Sequence, residues 1–88
     1  MSLTTHLGYG PFQLRDLLPG EIFARHDGTL ARVCDPQPIG QKDRIQIWKS
    51  YGTSNAEQVW LHITALAYAV SEEMAWRIER RRNGGDDP

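Results

Sequence analysis

The residues able to do chemistry are few: His6, His26 and His62, and a lone cysteine, Cys34. The histidines share no metal-ligand spacing with Cys34, and neither an H-x-x-x-H nor a C-x-x-C run occurs, so no metal site is expected. A cysteine with a distant histidine is the minimum for a thiol nucleophile. Nothing local would lower the Cys34 pKa, however, and Asp35 beside it would raise it, so it reads as a strand-end thiol. His26 precedes Asp27, whose side chain suits a bend, and reads as a turn neighbour. Gly8-Tyr9-Gly10 lacks the preceding strand and following helix of a nucleotide fingerprint, and there is no G-x-S-x-G and no phosphate loop. Neither catalysis nor a cofactor is expected.

Recognition is the remaining chemistry, and it points to the aromatic residues. In "RIQIWK", Ile45 and Ile47 alternate with Gln46 and Trp48; in "EQVWLHI", Val59, Leu61 and Ile63 alternate with Gln58, Trp60 and His62. If the aliphatic set faces the core of one hairpin, Trp48, Trp60 and His62 project together from its other face, flanked by Arg44, Gln46, Lys49 and Gln58. Paired indoles with polar neighbours have the composition of an interface hot spot, and would equally stack bases. The competing expectation is that the C-terminal helix or the N-terminal segment covers these rings.

A second aromatic group lies near the C-terminus. Ser71 to Arg82 reads as a helix: Ser71 can cap it, Glu72 and Glu73 suit its positive end, the arginines suit the other end, and "NGG" stops it. Met74, Ala75 and Ile78 form its packing stripe, and Trp76 sits about 160° from Met74 and Ile78 on the wheel. Arg80 can lie over the Trp76 ring, and Glu73 can pair with Arg77. This face could serve a partner or a phosphate backbone; alternatively, Trp76 tucks against the body and Arg80, Arg81 and Arg82 fray.

The elements that must position these groups are short. In "LPGE", Pro19 and Gly20 predict a type II turn. Asp27-Gly28 predicts a two-residue type I′ hairpin closed at His26 and Thr29, which sets Ile22 opposite Val33 and Ala24 opposite Ala31 on the core face, with Phe23 and Arg32 on the other. "CDPQPIGQKD" and "SYGTSNA" read as loops. A rival reading runs one helix from 55 to 82, because Ser54 and Glu57 are spaced as a capping box and Val59, Ile63, Leu66, Val70, Met74 and Ile78 recur at helical spacing. The β-branched Val59, Ile63, Thr64 and Val70 and a length of about 42 Å weigh against it.

Length and charge bound the rest. At 88 residues the chain is one domain, and one cysteine rules out an internal disulfide and suits a reducing, cytoplasmic compartment. No run is long and apolar enough to span a membrane, and "MSLTTHLGYG" lacks the features of an export signal. Ten basic against eleven acidic residues leave a net charge of −1, so no whole-molecule field attracts nucleic acid. Residues 1–11 read as a flexible leader, 12–70 as a small β-barrel, 71–82 as the helix and 83–88 as a flexible tail. The fold class is mainly β with one C-terminal helix (α+β).

Leu14, Asp16, Leu17, Pro19, Gly20, Glu21, Ile22 and Phe23, then Asp27-Gly28, Val33, "VWL" and "AYAV", resemble the short SH3-like β-barrel proteins of phage and prophage genomes over residues 12–70. The resemblance implies a barrel of five or six antiparallel strands without a cofactor. Some small phage proteins block host enzymes or defence complexes; the basic C-terminal helix departs from the pattern.

The expected function is a non-catalytic protein-binding module, carried by a phage or other mobile element, that inhibits or adapts a host protein, for example a defence complex such as CRISPR-Cas. Trp48, Trp60, Tyr51, His62, Trp76, Arg77, Arg80 and Arg81 would carry binding. The alternative is a nucleic-acid-binding small barrel that stacks bases on Trp48 and Trp60 and holds phosphates with Arg44, Lys49, Arg77, Arg80 and Arg81.

Overall fold

A computed structural model describes residues 9–39 and 42–83. The leader up to residue 8 and the tail from residue 84 lie outside the described residues, as does His6. Among the described residues six strands and one α-helix follow in order: β1 (Phe12–Gln13), β2 (Ile22–Ala24), β3 (Leu30–Val33), β4 (Arg44–Lys49), β5 (Glu57–His62), β6 (Leu66–Ala67) and α1 (Glu72–Arg82). A 3-10 turn, Leu14–Asp16, follows β1. The chain is thus mainly antiparallel β with one C-terminal helix.

β2, β3, β4 and β5 form a four-stranded meander, and β1 pairs with β6. A single bridge between Ala24 and Tyr68 links the two sheets, their N–H and C=O groups exchanging bonds of 2.8 and 2.9 Å. The sheets are not closed into a barrel, so the structure carries the expected strand number without the closure. The long-helix alternative is overturned. Residues 57–62 pair with all six residues of β4; of the β-branched residues that disfavour a helix, Val59 lies in that ladder and Ile63 and Thr64 follow it directly.

The turn at Leu18–Glu21 forms as predicted: the Glu21 N–H donates to the Leu18 carbonyl at 3.1 Å, and Gly20 takes φ +90°. The β2–β3 hairpin differs from its expectation by one residue. Its loop is three residues, His26 to Gly28, closed by the Arg25 N–H donating to the Thr29 carbonyl, with Gly28 at φ +89°. This is a type I turn followed by a left-handed glycine, which adds a residue to the two-residue connection. Asp27 stabilises it by accepting from the Thr29 N–H at 3.0 Å and the Thr29 hydroxyl at 2.7 Å, which together hold its carboxyl below the ordinary aspartate value.

A one-residue slip exchanges the faces of a strand. Phe23 pairs with Ala31 and is buried, whereas Ile22 pairs with Arg32 and is half-buried on the other face. The expected assignment of Ile22 to the core and Phe23 to the outside is therefore corrected. Burying the larger ring also removes more apolar surface from water.

The core is a single cluster in which Leu14, Phe23, Val33, Ile47 and Ile78 are the largest fully buried side chains. Helix α1 closes it with Met74 and Ile78, the predicted stripe. Ser71 caps the helix, its hydroxyl accepting from the Met74 N–H at 3.2 Å. The far end has partners of its own. Arg81 donates to the Glu21 carboxylate and to the Asp16 carbonyl, each at 2.9 Å. Arg82 lies 3.6 Å from the Asp16 carboxylate with its guanidinium 5.6 Å from the Phe12 ring centroid.

Phe23→Ala should lower stability by about 3–5 kcal/mol, whereas Ile22→Ala should cost about 1 kcal/mol, as measured by urea unfolding. The reverse order would restore the two-residue hairpin.

Candidate interaction surface

Hydrogen-bond parity across the meander sets which side chains share a face. The Cys34 N–H donates to the Gln46 carbonyl and the Ile63 N–H donates to the Asp43 carbonyl, so even residues of β4 bond to β3 and odd residues to β5. Side chains alternate with the same period, and contact with the core cluster places Ile45, Ile47, Val59 and Leu61 on the face toward the core. Arg44, Gln46, Trp48, Gln58, Trp60 and His62 face away from it, as the alternation predicts. Trp48 lies opposite Gln58 and Trp60 opposite Gln46, which makes the two indoles diagonal neighbours.

Both indoles are half-buried. The helix does not cover them, because Met74 and Ile78 join the core cluster on the opposite side of the sheet. Their own neighbours frame them instead. Arg32 lies opposite Trp48 on β3; its Nε donates to the Gly20 carbonyl at 3.0 Å and its Nη1 to the Tyr51 hydroxyl at 3.2 Å. The same guanidinium sits 5.7 Å from the Tyr51 ring centroid. Tyr51 is tied in turn by its N–H, which donates to the Leu30 carbonyl.

At the other end, the Gln37 amide stands in for a strand residue. Its Nε2 donates to the Cys34 and Gln46 carbonyls at 3.0 and 2.7 Å, and its Oε1 accepts from the Gln46 N–H. Gln58 reaches across β4 to within 3.8 Å of the Cys34 sulfur. Cys34 is 4% exposed, and burial pushes its thiol up, outweighing the Gln58 contact and the Arg32 charge.

The predicted site residues divide into two surfaces. Trp48, Trp60, Tyr51, His62 and Arg44 belong to the outer sheet face. There His62 is exposed, its Nδ1 lying 2.8 Å from the Thr64 hydroxyl. Trp76, Arg77 and Arg80 lie on α1, across the core. Trp76 is 58% exposed, which overturns the reading that it tucks against the body. The Arg80 guanidinium lies 4.7 Å from its ring centroid, and Arg77 pairs with Glu73 at 3.1 Å, as the spacing predicts. These residues and Arg81 line a shallow, open depression of about 300 Å³.

One expected member is corrected and another has a structural partner as well. Lys49 is odd-numbered on β4, so it leaves the tryptophan face and lies 3.9 Å from Glu57. Arg81, although it borders the depression, is bound to Glu21 and Asp16 and holds the helix in place. Arg32 and Gln37 are neighbours of the outer face that the sequence does not point to. The outward parity of Arg32 was legible, but its position beside Trp48 depends on the β3–β4 register, which a long irregular loop leaves open. Nothing in the sequence marks Gln37.

Among the described residues, no group of three or more His, Cys, Asp or Glu side chains could hold a metal ion, and no helix is long and apolar enough to cross a membrane. No family model, curated protein or solved structure matches the chain.

Iodoacetamide should alkylate Cys34 more than about tenfold more slowly in the folded chain than in urea, with the rate rising only at higher pH. A thiol that holds its proton more tightly when folded also makes stability fall as pH rises through the ordinary thiol range. Equal folded and unfolded rates would place the sulfur in solvent.

Proposed function

We propose that this chain is a non-catalytic protein-binding module whose contact surface is the outer face of the β2–β5 sheet. The observation that carries the reading is the placement of Trp48 and Trp60 as diagonal neighbours on that face, each opposite a glutamine. Indoles with part of their surface exposed bring large contact area at small entropic cost, and polar side chains around them supply a rim. Arg32, Tyr51 and Gln37 restrain the frame through their hydrogen bonds, so little ordering remains to be done on binding.

Electrostatics favour a protein partner over nucleic acid. Of the five cations proposed to hold phosphates, Arg81 is held by Glu21 in a partly buried pair, and Arg77 and Lys49 have acids beside them at the surface, Glu73 and Glu57. The net charge of −1 adds no attraction. The likeness to SH3-like phage proteins supplies the setting: an accessory protein of a phage or mobile element acting on a host protein, such as a component of a defence complex.

Capture from a bacterial lysate, with the bait tagged at its N-terminus, supplies the partner, and titration of that partner tests the face. Trp48→Ala and Trp60→Ala should each weaken binding by about 30-fold or more while leaving the far-ultraviolet spectrum unchanged. Binding should change little between low and moderate salt. A steep loss of affinity with salt, together with retention of a single-stranded oligonucleotide, would favour the nucleic-acid alternative.

A further inference from the structure

The two edges of the four-stranded sheet are unlike. The β2 edge is short, three residues long, and Tyr68 bridges it at Ala24. The β5 edge runs six residues in unbroken register, and no described residue pairs with its outer side. By the same parity that sorts the faces, the odd residues of β5 bond to β4, and the even residues turn their N–H and C=O groups outward. The usable window is narrow. At one end the Ala56 N–H is given to the Thr53 carbonyl, and at the other the His62 carbonyl accepts from Ala65. Between them, Gln58 and Trp60 turn their outward backbone groups away from β4, with no bonds to them among the described residues.

Soluble proteins commonly protect such edges with lysine, proline, a bulge or a covering element. From Gln58 to Leu61 there is no lysine or proline and the register carries no bulge, and among the described residues none pairs along this edge.

We infer that β5 pairs antiparallel with β5 of a second copy of this chain, about a twofold axis at Val59. In that register Gln58 of one copy and Trp60 of the other exchange N–H···O bonds in both directions, which satisfies every outward backbone group of the window. Side-chain pairing is self-complementary. Each tryptophan of the β4–β5 ladder already faces a glutamine, Trp48 to Gln58 and Trp60 to Gln46, and the axis repeats that pairing between copies. On the other face, half-buried Val59 meets its own copy. Charge does not oppose the contact, since each chain carries −1 and Glu57, the one acid of the strand, lies beside Lys49. The result is one continuous sheet whose outer face joins the Trp48 and Trp60 pairs of both copies. The inference rests on backbone parity and is independent of the partner-binding reading.

Sedimentation equilibrium of the full chain should give twice the chain mass, dissociating on dilution. Gln58→Pro removes an outward N–H without breaking a β4–β5 bond, and should return the monomer mass with an unchanged far-ultraviolet spectrum. Should that variant fail to fold, disulfide trapping decides independently. In a Cys34→Ser background, Val59→Cys places two thiols across the axis in a non-hydrogen-bonded pair, with Cβ atoms about 4.5–5.5 Å apart, and oxidised glutathione should link the copies nearly completely. Leu61→Cys in the same background sits opposite Glu57 of the other copy and should give at least about tenfold less linkage. A monomer at every concentration, or equal linkage at both positions, would overturn the inference.

Discussion

The constraint on which the rest depends is the period-2 alternation of the β4–β5 ladder. Ile47, fully buried, and Trp48, half-buried, are adjacent residues on opposite faces, so a slip of one position would bring the indole into the core and expose the isoleucine. In a chain of 88 residues the core is too thin to absorb such an exchange. Six consecutive cross-strand pairs hold the register, and Val33 and Phe23 follow it through β3 into β2. The aromatic outer face is the necessary complement of the aliphatic inner one.

The core needs a lid, and α1 supplies it through two kinds of contact that reinforce each other. Met74 and Ile78 remove apolar surface from water, while Arg81 and Arg82 reach the segment between β1 and β2. The acids that receive them also organise their own turns. The Asp16 carboxylate accepts from the Gln13 N–H at 3.0 Å, and the Glu21 carboxylate accepts from the Leu18 N–H at 2.8 Å. Each acid therefore stabilises a local bend and the seating of the helix together, and their part burial makes these pairs more consequential than exposed ones. Two of the four arginines of the helix, Arg81 and Arg82, take part in this docking.

The molecule thereby separates two aromatic surfaces. On the sheet, Trp48 and Trp60 are embedded among side chains whose own bonds hold them still; on the helix, Trp76 stands out beneath Arg80. The sheet face has the backing of a hydrogen-bonded ladder and a rim of glutamine, arginine and histidine. The helix face is a single ring and a shallow depression. This difference in support is why the sheet face carries the functional reading.

Local chemistry was legible in the sequence. Ile45, Ile47, Val59 and Leu61 announced the inner face and thus the outward parity of both tryptophans; Pro19-Gly20 announced a turn; Ser71, Met74 and Ile78 announced a capped helix and its stripe. These features depend on neighbours within a few residues, where spacing and propensity suffice. Pairings between distant segments were not legible. One added loop residue at Gly28 moved Phe23 inward, and the β3–β4 register placed Arg32 beside Trp48. Contacts spanning sixty residues or more turned Arg81 from a surface charge into an anchor. Periodicity by itself determined which faces the strands of the second hairpin possess; only tertiary structure decided what each face meets, because register and charge pairing are set by the free energy of the whole packed arrangement.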